Sequence, residues 1–320
     1  MGIDLSVRPV RNTKKTIKDS EISYGVKLGR IEMKNPVMVA SGTFGYGEEY
    51  NQLMDISKLG AIVTKSITLN PRIGNPSPRI AETPSGMLNS IGLQNVGVEK
   101  FVLEKLPFLR KTRVPVIVSI AGERTAEYVE IARRLNTEEG ISGIELNISC
   151  PNVEEGGMGL GTYPHLTHMV VNKVRKVTKF TLIAKLSPNV TDIVTIAKAA
   201  EEGGCDALSL VNTFLGMAID VKKKNPKLAN ITGGLSGPCI KPIALRMVWQ
   251  VSRAVKLPVI GMGGIMDSAD AIEFIMAGAT AVAIGTGNFV NPMTAIEVID
   301  GIKKYMVENK FSRLSEMKIK

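Results

Sequence analysis

Cys150 follows a short apolar run, 144–148, and stands directly before Pro151, at the head of the glycine-rich stretch EEGGMGLG (154–161). A thiol titrates at roughly 8.5–9 when unperturbed and lower beside cations, so a cysteine at such a strand end can serve as a base or nucleophile near neutral pH. The other two cysteines, Cys205 and Cys239, fit as small residues at a helix–strand turn and in a loop, where inert packing is the ordinary reading. Lys65 and Lys185 end two further apolar runs. A lysine there can form a Schiff base with a carbonyl compound, or stay charged and stabilise negative charge on a bound ring. The two histidines, His165 and His168, lie three apart in an expected helix with no evident third ligand. They read as a solvated face, not a metal site, which leaves acid–base work to other groups.

Four asparagines, Asn89, Asn147, Asn152 and Asn212, complete the set. Each amide offers two donors and an acceptor. Four of them at one rim suit a flat ligand edged with carbonyl and N–H groups, such as a pyrimidine. The pairs of glycines in GMGGI (261–265) and AIGTGN (283–288) let backbone amides approach an anion closely, and adjacent turns of this kind favour a phosphate.

These groups need a scaffold that brings distant segments together. Short apolar runs recur at 37–40, 61–64, 116–120, 143–147, 181–185, 207–211, 259–261 and 281–284. They do not alternate with polar residues, so they suit strands buried on both faces of a parallel sheet. Helical patterns lie between most of them, with Asp192 and Ser268 as expected N-caps. SKLGAIVTKS, EEGGCDALSLVNT and IMAGATAVAIGT each run helix, glycine, strand, as a left-handed glycine closing a helix would give. Eight such units predict a single (β/α)₈ TIM barrel over 21–320, which opens with a small hairpin in YGVKLGRIEMKNP with Gly29 at its turn. A doubly wound open sheet is the alternative, but no G-x-G-x-x-G turn follows the first run. In a barrel the functional groups belong at the C-terminal strand ends, where Cys150, both lysines, Asn147, Asn212 and the glycine pairs fall.

The composition sets outer bounds. The chain has 320 residues, is 44% apolar and carries a formal charge of +10. The basic residues are scattered and only 5% of residues are aromatic, which argues against nucleic acid as a partner. No apolar run reaches the ~20 residues that span a bilayer, and the expected location is cytoplasmic. Three widely spaced cysteines without a C-x-x-C pair give no disulfide framework, zinc site or iron–sulfur cluster within this chain. Residues 1–20 lack apolar periodicity and carry Arg8, Arg11, Lys14, Lys15 and Lys18; they read as a loosely ordered basic arm.

Six stretches resemble one family: NISCPN (147–152), NSIGLQN (89–95), GNPSPRIAET (74–83), AKLSPNVTDI (184–193), ANITGGLSGP (229–238) and GMGGI (261–265). They are similar to class 1 dihydroorotate dehydrogenases, and most similar to the catalytic subunit of the NAD-linked subclass 1B. The resemblance runs from about residue 21 to about residue 310. It implies an FMN-containing (β/α)₈ barrel that oxidises dihydroorotate to orotate in pyrimidine synthesis. By this resemblance Cys150 takes the C5 proton while the C6 hydride goes to FMN, and Lys65 contacts both substrate and flavin. Asn89, Asn147, Asn212 and Thr213 would hold the ring, with Asn152 as a further amide. The backbone of Asn89, Ser90, Ile91, Gly92 and Leu93 would close over it. Ser41, Ser66, Ser119, Asn147, Lys185 and Val211 would bind the flavin, with Gly237, Gly263, Gly264, Gly285 and Thr286. Ser66 and Ser119 depart from the alanine and asparagine common in the family. The loop at 153–163 would act as a lid that excludes water.

The same resemblance implies a second subunit carrying FAD and a [2Fe–2S] cluster, which passes electrons to NAD, with a homodimer core inside a heterotetramer. Rival expectations are a dihydropyrimidine dehydrogenase-like flavoenzyme, a fumarate-linked dihydroorotate dehydrogenase, a Schiff-base aldolase using Lys65 or Lys185, and a non-enzymatic binding barrel.

Overall fold

The computed structural model describes residues 22–149, 151–152 and 158–319. The expected basic arm and Cys150 lie outside the described residues. Eight parallel strands, Val37–Val39, Ala61–Val63, Val116–Ile120, Gly143–Asn147, Thr181–Lys185, Ala207–Leu210, Val259–Gly261 and Ala281–Ile284, close into a barrel in chain order. The eighth strand pairs back onto the first, with Ala283 opposite Met38. That closure excludes the open-sheet alternative.

Successive strand side chains point to opposite faces, and the barrel shows this as two apolar clusters. Met38, Val63, Ile117, Ile183, Ile260 and Ala283 pack together inside the barrel. Val39, Ile62, Val118, Leu146, Leu182 and Leu208 face outward and pack under the helices. Both faces are apolar because both are covered, which is why no polar alternation shows in the sequence.

The hairpin of Val26–Leu28 and Ile31–Met33 turns at Gly29, whose φ of +56° is left-handed. Its Leu28, Ile31 and Met33 belong to the interior cluster. The Arg30 amide donates to Thr181 Oγ1 at 3.0 Å, at the start of the fifth strand. A side chain on Gly143, at the start of the fourth strand, would meet Ile31 Cδ1 at 2.8 Å. The hairpin therefore seals the N-terminal end of the barrel.

The helices follow from 3–4 spacing of apolar residues. Thr125–Leu135 buries Tyr128, Ile131, Ala132 and Leu135. Asp192 caps Ile193–Glu202 by accepting the Val194 amide at 2.9 Å, as the sequence suggests. The expected Ser268 cap is corrected: Ser268 is the first helical residue of Ser268–Met276, and Asp267 caps it by accepting the Asp270 amide at 3.0 Å. A carboxylate one residue earlier reaches that orphan amide, so the hydroxyl is not needed. Of the three closing glycines, Gly204 and Gly278 are left-handed at φ +93° and +120°. Gly60 is not. It is required by crowding, because a Cβ there would lie 2.3 Å from the Asn35 carbonyl oxygen.

A four-stranded antiparallel sheet, in the order Phe214–Met217, Thr232–Ser236, Gly86–Asn89 and Ile80–Thr83, stands outside the barrel. It carries Asn89 and Ser236 to the C-terminal mouth, where both line the main cavity. No helix among the described residues is long and apolar enough to cross a membrane.

Candidate active site

A cavity of ≈ 550 Å³ opens at the C-terminal ends of the strands. Small-molecule sites commonly measure roughly 300–1,000 Å³. Its wall includes Ser41, Lys65, Ser66, Asn147 and Lys185 from the strand ends, and Val211, Asn212 and Thr213 after the sixth strand. Asn89, Ser90, Ile91, Gly92 and Leu93 line it from the side. Gly237, Gly263, Gly264, Gly285 and Thr286 complete the far wall. Segments far apart in sequence thus meet at one place because every barrel strand ends on the same rim.

Ser119 is the exception among the described candidates. It is fully buried, its hydroxyl 2.9 Å from that of Ser66. It stands behind the wall and supports Ser66. Cys150 lies outside the described residues, as do 153–157 of the expected lid, and the side chain of Asn152 is likewise not described.

The amides hold one another across the mouth. Asn212 Nδ2 donates to Asn147 Oδ1 at 3.1 Å and to Ser149 Oγ at 2.9 Å. Asn147 Nδ2 donates to Ser66 Oγ at 3.2 Å. From below, the buried Tyr128 hydroxyl donates to the Asn147 carbonyl at 2.8 Å. This network fixes both amides and ties them to Ser149 and Ser66. Asn89 Nδ2 donates to the Gly234 carbonyl at 3.4 Å within the side sheet.

The 89–95 loop is pinned at both ends. Asn75 donates from Nδ2 to the Ser90 carbonyl at 2.9 Å and from its amide to the Ile91 carbonyl at 3.0 Å. The buried Asn95 accepts the Thr68 and Gly97 amides at 3.1 and 2.8 Å. Gly92 has φ +74°, and a Cβ there would strike Asn75 at 2.6 Å. The Ser90 hydroxyl is buried at this wall with no hydrogen-bond partner among the described residues. Buried hydroxyls rarely stay unpaired, so this atom suits a ligand's polar edge.

The glycine wall fits a phosphate-bearing cofactor. Gly237, Gly263 and Gly264 have φ of +99°, +125° and +79°. A Cβ on Gly264 would lie 2.9 Å from the Gly237 carbonyl oxygen. A Cβ on Gly285 would meet only Ala40 Cβ, at 3.7 Å, and would otherwise project into open space beside the cavity. Bare backbone is therefore what the cavity presents there, as close approach to an anion requires. Thr286 Oγ1 donates to Ser236 Oγ at 2.8 Å and so is oriented at that wall. The nearby Lys241 does not supply the charge. Its ammonium is bound by Asp270 at 2.6 Å and Glu273 at 2.8 Å, which raise its pKa.

Two lysines and Arg79 line the cavity. Lys65 Nζ lies within 3.7 Å of the space beside Gly42. Lys185 Nζ donates to Ser41 Oγ at 3.1 Å. His165 and His168 are exposed on Pro164–Arg175, as the sequence suggests. No group of three or more metal-ligating side chains occurs among the described residues. Cys205 is buried, and burial, with the Asp206 carboxylate second, pushes its thiol from 9.0 up to about 12. Cys239 is half-buried and its thiol points to the Ser236 carbonyl at 3.7 Å.

Sequence reasoning missed Tyr128, Glu145, Ser236 and Met262, all at or just beneath the site. Their inward or supporting positions depend on barrel closure, which no local motif encodes. Strand alternation was the available signal, since Glu145 and Asn147, like Ile183 and Lys185, share a face.

A family model described as dihydroorotate dehydrogenase matches residues 24–306. The chain is 56% identical to the "Dihydroorotate dehydrogenase B (NAD(+)), catalytic subunit" of Trichlorobacter lovleyi, over 92% of this chain and 97% of that protein. It is 55% identical to the protein of the same name from Geotalea uraniireducens, and 56% to that from Thermoanaerobacter pseudethanolicus. Each of those two matches spans 91% of this chain and 96% of the relative.

Proposed function

The chain belongs to the dihydroorotate dehydrogenase family, and from that premise we propose that it oxidises dihydroorotate to orotate as the catalytic subunit of an NAD-linked enzyme. The observation that carries this reading is convergence. Eighteen of the described residues expected from sequence line one cavity that offers two ammonium groups, several amides and a glycine cradle.

FMN, when bound, would supply the acceptor for the hydride leaving C6 of the substrate. Gly263, Gly264, Gly285 and Thr286 would hold its phosphate, and Ser41, Lys185, Asn147 and Val211 its ring system. Asn89, Asn147, Asn212 and Thr213 would grip the substrate's amide edges, with the Ser90 hydroxyl as a further partner. Lys65 would pair with negative charge on substrate and cofactor. Oxidation also removes a proton from C5, which needs a base of modest pKa. The histidines are on an outer helix, so they cannot provide it. Cys150, directly after the anchored Ser149, is assigned that role.

Electrons must then leave this chain. Its cysteine spacing holds no iron–sulfur cluster and it has no dinucleotide fingerprint, so the final transfer to NAD belongs to a partner subunit carrying FAD and [2Fe–2S]. The assembly we propose is a heterotetramer of two such chains and two partners, working in the cytoplasm. The deciding experiment is the visible spectrum of the purified chain. A yellow protein that bleaches on anaerobic addition of dihydroorotate supports the reading; a colourless protein, or one that bleaches with dihydrouracil instead, overturns it.

A further inference from the structure

Inside the barrel, below the cavity, the described walls are Met38, Val63, Ile117, Ile183, Ile260 and Ala283. One carboxylate interrupts them. Glu145, on the fourth strand, is 1% exposed and sits in register with Ile183 on one side and Ser119 on the other. Its Oε2 accepts the Ser209 hydroxyl at 3.0 Å, across the interior. Its Oε1 has no hydrogen bond among the described residues but lies 4.0 Å from Lys185 Nζ.

Burying such a pair is expensive, and well-packed apolar residues of similar volume usually serve a fold as well or better. The pair therefore needs a reason outside stability. Its geometry supplies one. Lys185 forms part of the cavity wall and Glu145 does not. The ammonium is held between Ser41 at the rim and the carboxylate beneath. A lysine stem has several rotatable bonds, and a fixed anion below it narrows where its charge can sit.

We propose that Glu145 is a positioning residue, which acts through Lys185 to hold a charge-matched ammonium against the cofactor ring while touching neither cofactor nor substrate. The inference rests on the FMN reading above. With the ring oxidised, the Lys185–Glu145 pair is neutral overall. When the ring gains negative charge, the ammonium is already in place to stabilise it. The carboxylate's own charge opposes part of that stabilisation, so what Glu145 contributes is the placement of the ammonium.

The test measures the midpoint potential of FMN in purified holoenzyme for the wild type, Glu145→Gln, Lys185→Met and the double variant. Glu145→Gln keeps the shape and the Ser209 contact but removes the charge that places the ammonium. The preference for reduced over oxidised FMN should drop on the order of 10-fold, the low end of what losing a supporting group behind a metal ligand costs, and the potential should fall. In the Lys185→Met background the same change should do nothing further. An unmoved or raised potential in Glu145→Gln, even with lower thermal stability, overturns the proposal, and so do additive effects in the double variant. If Glu145→Gln yields no folded holoenzyme, Glu145→Asp carries the test: its withdrawn carboxylate should lower the potential by less than Lys185→Met does, and a wild-type potential overturns the idea. A wild type without flavin would sink both readings, whereas a flavin-bearing wild type with unmoved variants sinks this one alone.

Discussion

The thiols of this chain are assigned different roles, and that difference can be measured. Cys150→Ala should lower turnover of dihydroorotate by ~10²–10⁴-fold, the usual worth of a positioned base, while the bound-flavin spectrum stays unchanged. Loss of the flavin, or turnover within a few-fold of wild type, would remove Cys150 from its role. Cys205 has the opposite character. Its buried thiol is held neutral up to about 12, against 9.0 when unperturbed. Between those values the unfolded chain loses a proton that the folded chain keeps, so this group's stabilisation is present below 9.0 and lost as pH rises towards about 12. Urea midpoints should therefore fall less steeply over that window in Cys205→Ala than in the wild type. Alkylation at neutral pH should spare Cys205, as peptide mapping can check. Tyr128→Phe leaves the Asn147 carbonyl without its hydroxyl donor. It should cost about 1–3 kcal/mol in chemical denaturation and loosen ring binding, seen as a raised KM.

The turns after the seventh and eighth strands separate two uses of glycine. Gly264→Ala meets a left-handed backbone and a carbonyl at 2.9 Å, so it should destabilise the flavin-free protein by about 1–3 kcal/mol. Gly285→Ala meets nothing closer than 3.7 Å. It should leave the melting temperature of the flavin-free protein unchanged and weaken FMN binding, read by fluorescence titration. Equal effects on stability in both variants would contradict the cradle. Much of this was legible beforehand. Each apolar run, its terminal polar residue and the glycine pairs stood in the linear sequence, because a parallel strand buried on both faces needs continuous apolar residues. The side sheet was not legible. Its strands, such as Thr232–Ser236 and Gly86–Asn89, are short, glycine-containing and paired across more than a hundred residues. Glu145 was hidden inside the apolar run 143–147, where only closure of the barrel shows that it points inward. The Asp267 cap was missed for a smaller reason, since two adjacent residues could both cap and only geometry chooses between them.

The closed barrel, the side sheet and the hairpin act together on traffic. Size-exclusion with light scattering after co-expression with an FAD and [2Fe–2S] subunit should give a heterotetramer, and the chain alone should bleach with dihydroorotate yet not reduce NAD. Undiminished NAD reduction by the chain alone would refute the proposed division of labour. Ile31→Ala, which opens a void under the interior cluster, should cost about 2–5 kcal/mol with little change in KM, because the damage lies at the end away from the cavity. That stoppered end has a further result. Among the described residues it closes that end of the barrel and leaves the rim as its opening. Substrate entry, product exit and the hand-off of electrons would then share the rim and its flanks, so the proposed partner subunit would have to dock off-centre, close enough to receive electrons without capping the opening.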